Sequence, residues 1–388
     1  MHLAVCAHKV CWRSETSPTG YATDGGFPFQ MAALSELFDR TTLLLPVVER
    51  PPVKGDSPLT GHRLSVVPLA PPAGKGITRK AAMPLWAAQV RATLVRGIRQ
   101  ADALHVCIPG DVGTVAMLIA QRMGKPLFVR HCGNWNYQRT AAERLWRWYV
   151  ERYAGGRNVM LTTGGAPHPP SARNPAVRWV FSTSLRADDL AACAAPRQAP
   201  SAGEARLIIA CRQEVAKGTG VVIEALPRIL EQFPGAVLDV VGDGSALGQF
   251  RQMAAERGLN GRVVFHGNVD HPTVLRLMQA AHLFCFPTVA SEGFPKAVLE
   301  ALACGLPVVT TRVSVLPQLI GAGCGVVVDE VTPAAVAQAT CQILEDADCY
   351  HAMADRAREV AARYSLERWR DTIGELLTAS WGPLKHDG

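Results

Sequence analysis

Residues 292–309 read Glu292-Gly293-Phe294-Pro295-Lys296-Ala297-Val298-Leu299-Glu300-Ala301-Leu302-Ala303-Cys304-Gly305-Leu306-Pro307-Val308-Val309. Two carboxylates, Glu292 and Glu300, stand on either side of a loop that turns into a helix. The helix runs out at Cys304-Gly305, and Pro307-Val308-Val309 opens a strand. Gly293 lets the backbone approach a ligand closely, and Pro295 sits near the first helical position, where its missing N–H costs nothing. The amides from Phe294 through Lys296 to Ala297 are then the unpaired donors of a helix N-terminus and favour an anion. A negative group at each end of such a turn suits a diphosphate with hydroxyl-rich sugars on both sides. Glu300 would accept from a ribose diol and Glu292 from hydroxyls of a hexose. Taken alone, the same spacing also describes a capped surface helix with two ordinary glutamates.

Strand-like runs surround this stretch and alternate with helical ones. In the second half they are Leu207 to Cys211, Ala236 to Val241, Arg262 to Phe265, Leu283 to Phe286, Val308 to Thr310 and Val326 to Val328. In the first half they are His2 to Cys6, Thr41 to Pro46, Arg63 to Val67, Ala103 to Ile108, Leu127 to His131 and Val159 to Thr163. The βα alternation predicts parallel sheets covered on both faces. A chain of 388 residues is comfortable for two such domains. The stretch 194–204, rich in Ala, Pro and Gly, reads as a linker. The predicted organisation is therefore a domain over 1–193, a linker over 194–204, a second domain over 205–364 and a closing helix over 365–388. Ligands of such sheets bind beyond the carboxyl ends of the strands, so two facing domains would put a site in the cleft between them.

Three further elements point the same way. Cys211-Arg212 is followed by Lys217-Gly218 and a helical stretch from about Thr219 to Phe233. Val240-Val241-Gly242-Asp243-Gly244 ends a buried strand on two glycines, a weak signal by itself. Val263 to Val269 and Ala280 to Thr288 supply the next two strands in order. Together with residues 292–309, these resemble the retaining GT-B glycosyltransferases of family 4, with good specificity over about 204 to 365 and loosely over the first half. The resemblance implies an α/β GT-B fold of two facing Rossmann-like domains with a deep interdomain cleft. It also implies a nucleoside diphosphate sugar as donor substrate, with Glu292 on the sugar, Glu300 on the ribose, and Arg212 and Lys217 on the departing diphosphate. No metal or other cofactor is expected, because cations and helix amides serve the diphosphate. The family usually has glycine where Cys211 stands.

The first half is expected to hold the acceptor. Gly25-Gly26 precedes Pro28 and a helix with Met31, Leu34, Leu37 and Phe38 on its apolar face, and it resembles the family's glycine-rich first loop. The long loop from about Lys9 to Gly26 makes Tyr21 and Asp24 candidate acceptor contacts. His131 closes a strand at the position where the family has a histidine facing the donor sugar. Its neighbours Arg130 and Asn134 are candidate acceptor contacts. Strand alternation puts Arg130 and His131 on opposite faces, so at most one of them lines a given surface.

Charge is uneven along the chain. Residues 1–200 carry 24 Lys+Arg against 12 Asp+Glu, or +12; the remainder carries 16 against 21, or −5; the two sum to the net +7. The asymmetry suggests an anionic partner for the first domain. Arg79, Lys80, Arg91, Arg96 and Arg99 share a helical stretch with Leu85 and Trp86, and Arg144 to Tyr153 mixes arginine with aromatic rings. Both stretches could rest on an anionic bilayer, and the plainer reading is an outer helix packed on its sheet with its arginines solvated. Nucleic acid is not expected, since no recognisable module accompanies the basic residues. Asp346-Ala347-Asp348 is a literal metal-type signature of another fold, placed here at a helix junction far from the donor elements. Eleven cysteines without a CxxC pair, a strand already at Met1 to Cys6 and no long apolar run point to a reduced, cytoplasmic enzyme, with a candidate peripheral site on the inner face of the plasma membrane.

The reading is a metal-independent retaining glycosyltransferase moving a hexose to an acceptor hydroxyl, with a glycan or a lipid-linked or phosphorylated acceptor in polysaccharide or glycoconjugate synthesis. No side chain stands out as general base or nucleophile, which fits the front-face mechanism proposed for the family. A sugar-nucleotide 2-epimerase of the same fold and a non-catalytic sugar-nucleotide-binding scaffold are the alternatives. The first would need acid/base carboxylates in the cleft, and the second would tolerate loss of the donor residues.

Overall fold

The computed structural model describes residues 1–51, 56–74, 76–133, 135, 138, 140–166, 168–193, 197–290 and 293–385. The chain divides into two compact units, Met1–Ser184 with Leu366–Gly388, and Leu185–Ser365.

In the first unit, seven strands among the described residues form one parallel sheet. Across the sheet they run Arg178–Val180, Asn158–Thr163, Leu127–His131, Ala103–Ile108, His2–Cys6, Arg40–Pro46 and Leu64–Leu69. The strand order reverses at His2–Cys6, which pairs with Arg40–Pro46 on one side and Ala103–Ile108 on the other. Every residue of Ala103–Ile108 is buried, as a central strand covered on both faces requires. One face packs Val90, Leu94 and Ile98 of helix Gly76–Gln100 and Ala116 and Met117 of helix Asp111–Arg122. The other packs Met31, Leu34 and Phe38 with Trp369, Ile373 and Leu377 of helix Leu366–Trp381. Burying those last three side chains is worth about 1.5–3 kcal/mol each and explains why the end of the chain belongs to the first unit. A small antiparallel sheet of Trp12–Arg13, Tyr21–Thr23 and Ser57–Pro58 completes this unit.

The second unit carries six parallel strands among the described residues, in the order Val263–Gly267, Val237–Val241, Arg206–Ala210, Leu283–Phe286, Val308–Thr311, Gly325–Val328. Its order reverses between Arg206–Ala210 and Leu283–Phe286, and the crevice beyond their carboxyl ends is where such sheets hold ligands. The core is a continuous aliphatic cluster that includes Leu207, Ile209, Val222, Leu226, Leu238 and Val240.

The observed division falls earlier than the expected domain end at 193. Helix Ala187–Ala192 packs with helices Lys296–Ala303 and Ala347–Ala362 and so belongs to the second unit. Asp346 caps helix Ala347–Ala362, its carboxylate accepting from the amides of Asp348 and Cys349 at 3.0 Å. Among the described residues no helix is long and apolar enough to cross a membrane.

Candidate functional site

Strand Arg206–Ala210 ends where the chain must leave the sheet without colliding with its neighbour Val237–Val241. The Cys211 amide still donates to the Val241 carbonyl, 3.1 Å away. Gly242, at φ +110°, is confined to glycine by this close approach: a Cβ there would stand 2.0 Å from the Cys211 carbonyl oxygen. Gly244 answers to the same loop, because its Cβ would stand 2.4 Å from the Gln213 carbonyl oxygen. The glycines of Gly242-Asp243-Gly244 thus make room for the chain that carries Arg212.

Gln213 locks this loop and had no signal in the sequence. It is fully buried, and its side-chain amide donates to the carbonyls of Cys211 (3.0 Å) and Val241 (2.9 Å). Its side-chain oxygen accepts from the Thr219 hydroxyl at 2.7 Å, which ties the loop to the start of helix Thr219–Gln232. Between them, the short turn Val215–Lys217 ends on Gly218 at φ +92°. A Cβ on Gly218 would lie 2.3 Å from the Pro287 carbonyl oxygen, so the Lys217 turn is seated on the end of strand Leu283–Phe286. The Lys217 ammonium lies 6.0 Å from the centroid of the Phe286 ring.

The carboxyl ends of these strands open on a cavity of about 480 Å³ whose lining includes Arg212, Gly242, Asn268, Val269, Ala297 and Glu300. The structure therefore brings Arg212, Gly242 and Glu300 to one cavity within the second unit. Glu300 is set on helix Lys296–Ala303, where Pro295 is the N-cap residue and Gly305, at φ +68°, follows the C-cap. The Glu300 carboxylate accepts from His271 Nε2 at 3.0 Å. That hydrogen bond is the main cause of a raised His271 pKa, and burial opposes it. Neither Gln213 nor His271 was singled out from the sequence, since each acts through a partner far along the chain.

Other sequence-selected residues take different places. The Phe294 ring packs on Tyr364 at 5.4 Å between centroids. The Gly293 carbonyl accepts from the Ser314 hydroxyl at 3.3 Å. Lys296 opens the helix. Glu292 and Asn134 lie outside the described residues. In the first unit Gly25 has φ +67° and Gly26 is the N-cap of helix Phe27–Ser35. Asp24 pairs with Lys9, and Tyr21, in the small sheet, lies under the Arg13 guanidinium at 5.9 Å.

Arg130 and His131 are both buried, on opposite faces of the sheet. Arg130 stacks on Trp369 at 5.4 Å, and His131 meets Trp135 edge-on at 5.3 Å. Burial pushes the His131 imidazole down to about 4, so it is neutral at pH 7. Its Nδ1 is buried and has no hydrogen-bond partner among the described residues.

Residues 196–360 match the family described as glycosyl transferases group 1. The matched stretch is similar to that family over somewhat less than half of the chain. It covers the second unit's sheet and the Arg212, Lys217 and Glu300 elements. Over 169 residues the chain is 33% identical to the D-inositol 3-phosphate glycosyltransferase of Corynebacterium urealyticum, covering 42% of this chain and 39% of that one. Over 168 residues it is 31% identical to the phosphatidyl-myo-inositol mannosyltransferase of Mycolicibacterium smegmatis, covering 42% of each. The match thus spans about two-fifths of the length of these relatives.

Whole-chain likeness comes from structure. Anabaena HepE in complex with UDP and glucose superposes with a TM-score of 0.66 at 17% identity, covering 96% of this chain and 100% of that one. WaaG, a glycosyltransferase involved in lipopolysaccharide biosynthesis, gives 0.61 at 16%, covering 97% and 99%. At such identities the likeness concerns the fold, which is the GT-B class of two Rossmann-like units.

Proposed function

We propose that this protein is a metal-independent, retaining glycosyltransferase that takes a hexose from a nucleoside diphosphate sugar to an acceptor hydroxyl. The observation that carries the reading is one cavity lined by Arg212, Gly242, Ala297 and Glu300 within the stretch that matches the glycosyl transferases group 1 family. A guanidinium and helix-start backbone on one side and a carboxylate on the other suit a diphosphate joined to a ribose. Glu300 holds the ribose hydroxyls and is itself oriented by His271. Arg212 and Lys217 neutralise charge that builds on the diphosphate as the sugar leaves, and Glu292 positions the sugar. His131, neutral and desolvated, donates or accepts a hydrogen bond without adding charge. The departing phosphate takes the acceptor proton, so no protein base is required. That HepE is described with UDP and glucose supports a UDP-sugar among the candidate donors.

For the acceptor, we propose a lipid-linked or phosphorylated glycan. The relatives named for phosphatidyl-myo-inositol and inositol 3-phosphate support an anionic acceptor, as does the +12 balance of residues 1–200. Leu85 (78% exposed), Leu145 and Trp148 stand out to solvent on two arginine-rich helices, whereas Trp86 is buried in the core. This arrangement supports transient seating on an anionic membrane surface.

The test is a thermal-shift and calorimetric screen of UDP, GDP, ADP and their common sugars in EDTA, repeated on Glu300→Ala. Metal-free stabilisation by one nucleotide, lost in the variant, is expected. Equal binding by the variant would remove the ribose role, and no binding by the wild type would overturn the donor-site reading.

A further inference from the structure

The first unit holds a cluster that the transfer reading does not use. Arg130, in strand Leu127–His131, is 5% exposed, and its Nε and Nη1 have no hydrogen-bond partner among the described residues. A guanidinium so placed keeps its charge and needs a counter-charge, because leaving it buried and uncompensated costs several kcal/mol by order of magnitude. Two sulfurs, those of Cys107 and Cys132, lie beside it. Cys107 sits directly across the parallel ladder from Arg130, and the Arg130 Nη2 lies 3.6 Å from its sulfur. The Cys132 amide donates to the Ile108 carbonyl at 2.7 Å, which holds the residue after the strand against the same neighbour. The Cys132 residue is exposed while its sulfur turns inward, 3.7 Å from the Arg130 carbonyl oxygen. His105, two positions before Cys107 on the same face, places Nε2 3.8 Å from the Cys107 sulfur and bonds the Phe128 carbonyl through Nδ1. Burial holds His105 neutral, down at about 3.

We propose that Cys107 and Cys132 form a paired thiol site, with Cys107 held as a thiolate by the Arg130 guanidinium and Cys132 giving access from solvent, and that the pair is oxidised by small disulfides. The neighbouring Cys132 side chain, together with the Arg130 guanidinium, outweighs burial and holds the Cys107 thiol below its ordinary range. In the oxidation step a sulfur of the pair, as thiolate, attacks one sulfur of a disulfide of the glutathione type. The old S–S bond breaks, one glutathione thiolate leaves and takes a proton, and a mixed disulfide remains. The second sulfur of the pair then displaces the other glutathione as a thiol and closes a Cys107–Cys132 bond. The Cys107 thiolate and Cys132 thiol together lose two electrons and one proton, solvent supplies the second proton, and the oxidant disulfide becomes two thiols. The site is independent of sugar transfer, and oxidation would remove the Cys107 thiolate charge set against Arg130, one residue before His131.

The test is alkylation of the full chain with iodoacetamide from pH 5 to 9, followed residue by residue by mass spectrometry. Cys107 labelling is expected to reach half its maximum at a pH below the ordinary thiol range in the wild type, and Cys132→Ala should move that midpoint upward. Labelling of wild-type Cys107 that rises only above pH 8 would overturn the proposal, and this result needs no variant to fold. In oxidised glutathione, a Cys107–Cys132 linkage or a glutathione adduct on either residue should form about tenfold faster than on the fully buried Cys6 and Cys285, whose burial raises their thiols. Reaction no faster than at those two residues would likewise overturn it.

Discussion

The two units treat the carboxyl ends of their central strands in opposite ways. In the second unit, the ends of Arg206–Ala210 and Val237–Val241 open on a cavity that shows Arg212 and Glu300 to solvent. Their loops are held by backbone: glycines at positive φ, close carbonyls and one buried amide, Gln213. In the first unit, the ends of Ala103–Ile108 and Leu127–His131 enclose His105, Cys107, Arg130 and His131, each less than a tenth exposed. One sheet end turns its polarity toward an open cavity and the other turns it inward. The same topology therefore yields either a binding surface or a buried electrostatic cluster, and the difference lies in which side chains the strand alternation aims at the core.

The comparison breaks most readily at the glycines. Gly242→Ala is expected to destabilise the second unit by about 3 kcal/mol or more, because the new Cβ meets a carbonyl rather than a flexible side chain. Chemical denaturation checks this, and a loss under about 1 kcal/mol would mean the loop yields easily. Next in size, Lys217→Ala should slow transfer by about 100-fold or more with little change in nucleotide affinity. Full turnover by this variant in a transfer assay would refute the diphosphate role. Glu300→Ala should weaken nucleotide binding by about 10- to 100-fold, read by calorimetry, with no comparable effect on the first unit's stability.

The buried histidines give the first unit an acid limit. His131 has its folded pKa lowered to about 4 and His105 to about 3, both below the unfolded value of 6.5. The unfolded chain then binds more protons between those values, so stability is full above about pH 6.5 and falls as pH drops toward 4. For His131 the loss is on the order of 3 kcal/mol. Urea unfolding at pH 7 and pH 4.5 should show it, and His131→Phe should flatten the profile.

The smallest effect belongs to His271, whose folded pKa is raised. Its bond to Glu300 contributes fully below the unfolded pKa of 6.5 and is lost as pH rises through the folded value. Because His271 is half exposed, His271→Gln should shift thermal stability only slightly, and only at low pH. It should change the pH dependence of nucleotide affinity more than its value at pH 8. An unchanged pH profile would mean that His271 does not orient Glu300.

Most strands were legible because burial on both faces writes itself as apolar runs. His2–Cys6, Ala103–Ile108, Leu127–His131 and Leu283–Phe286 fall on the residues the runs predicted. The short strands Trp12–Arg13, Tyr21–Thr23 and Ser57–Pro58 were not, since two or three residues carry no period and the pairing of Tyr21–Thr23 with Ser57–Pro58 reaches across about 35 positions. Helix Ala187–Ala192 was missed for a related reason: its place depends on helices more than a hundred residues later.

The sequence by itself determined two Rossmann-like units, the order of their strands along the chain, and the Arg212, Lys217 and Glu300 elements, because turn chemistry and hydrophobic period are local properties. Only the tertiary structure decided which of those residues share a cavity, that Gln213 and His271 hold them there, and that Arg130 stacks on Trp369 rather than meeting solvent. Those outcomes depend on contacts between positions remote in sequence, whose distances no local pattern encodes.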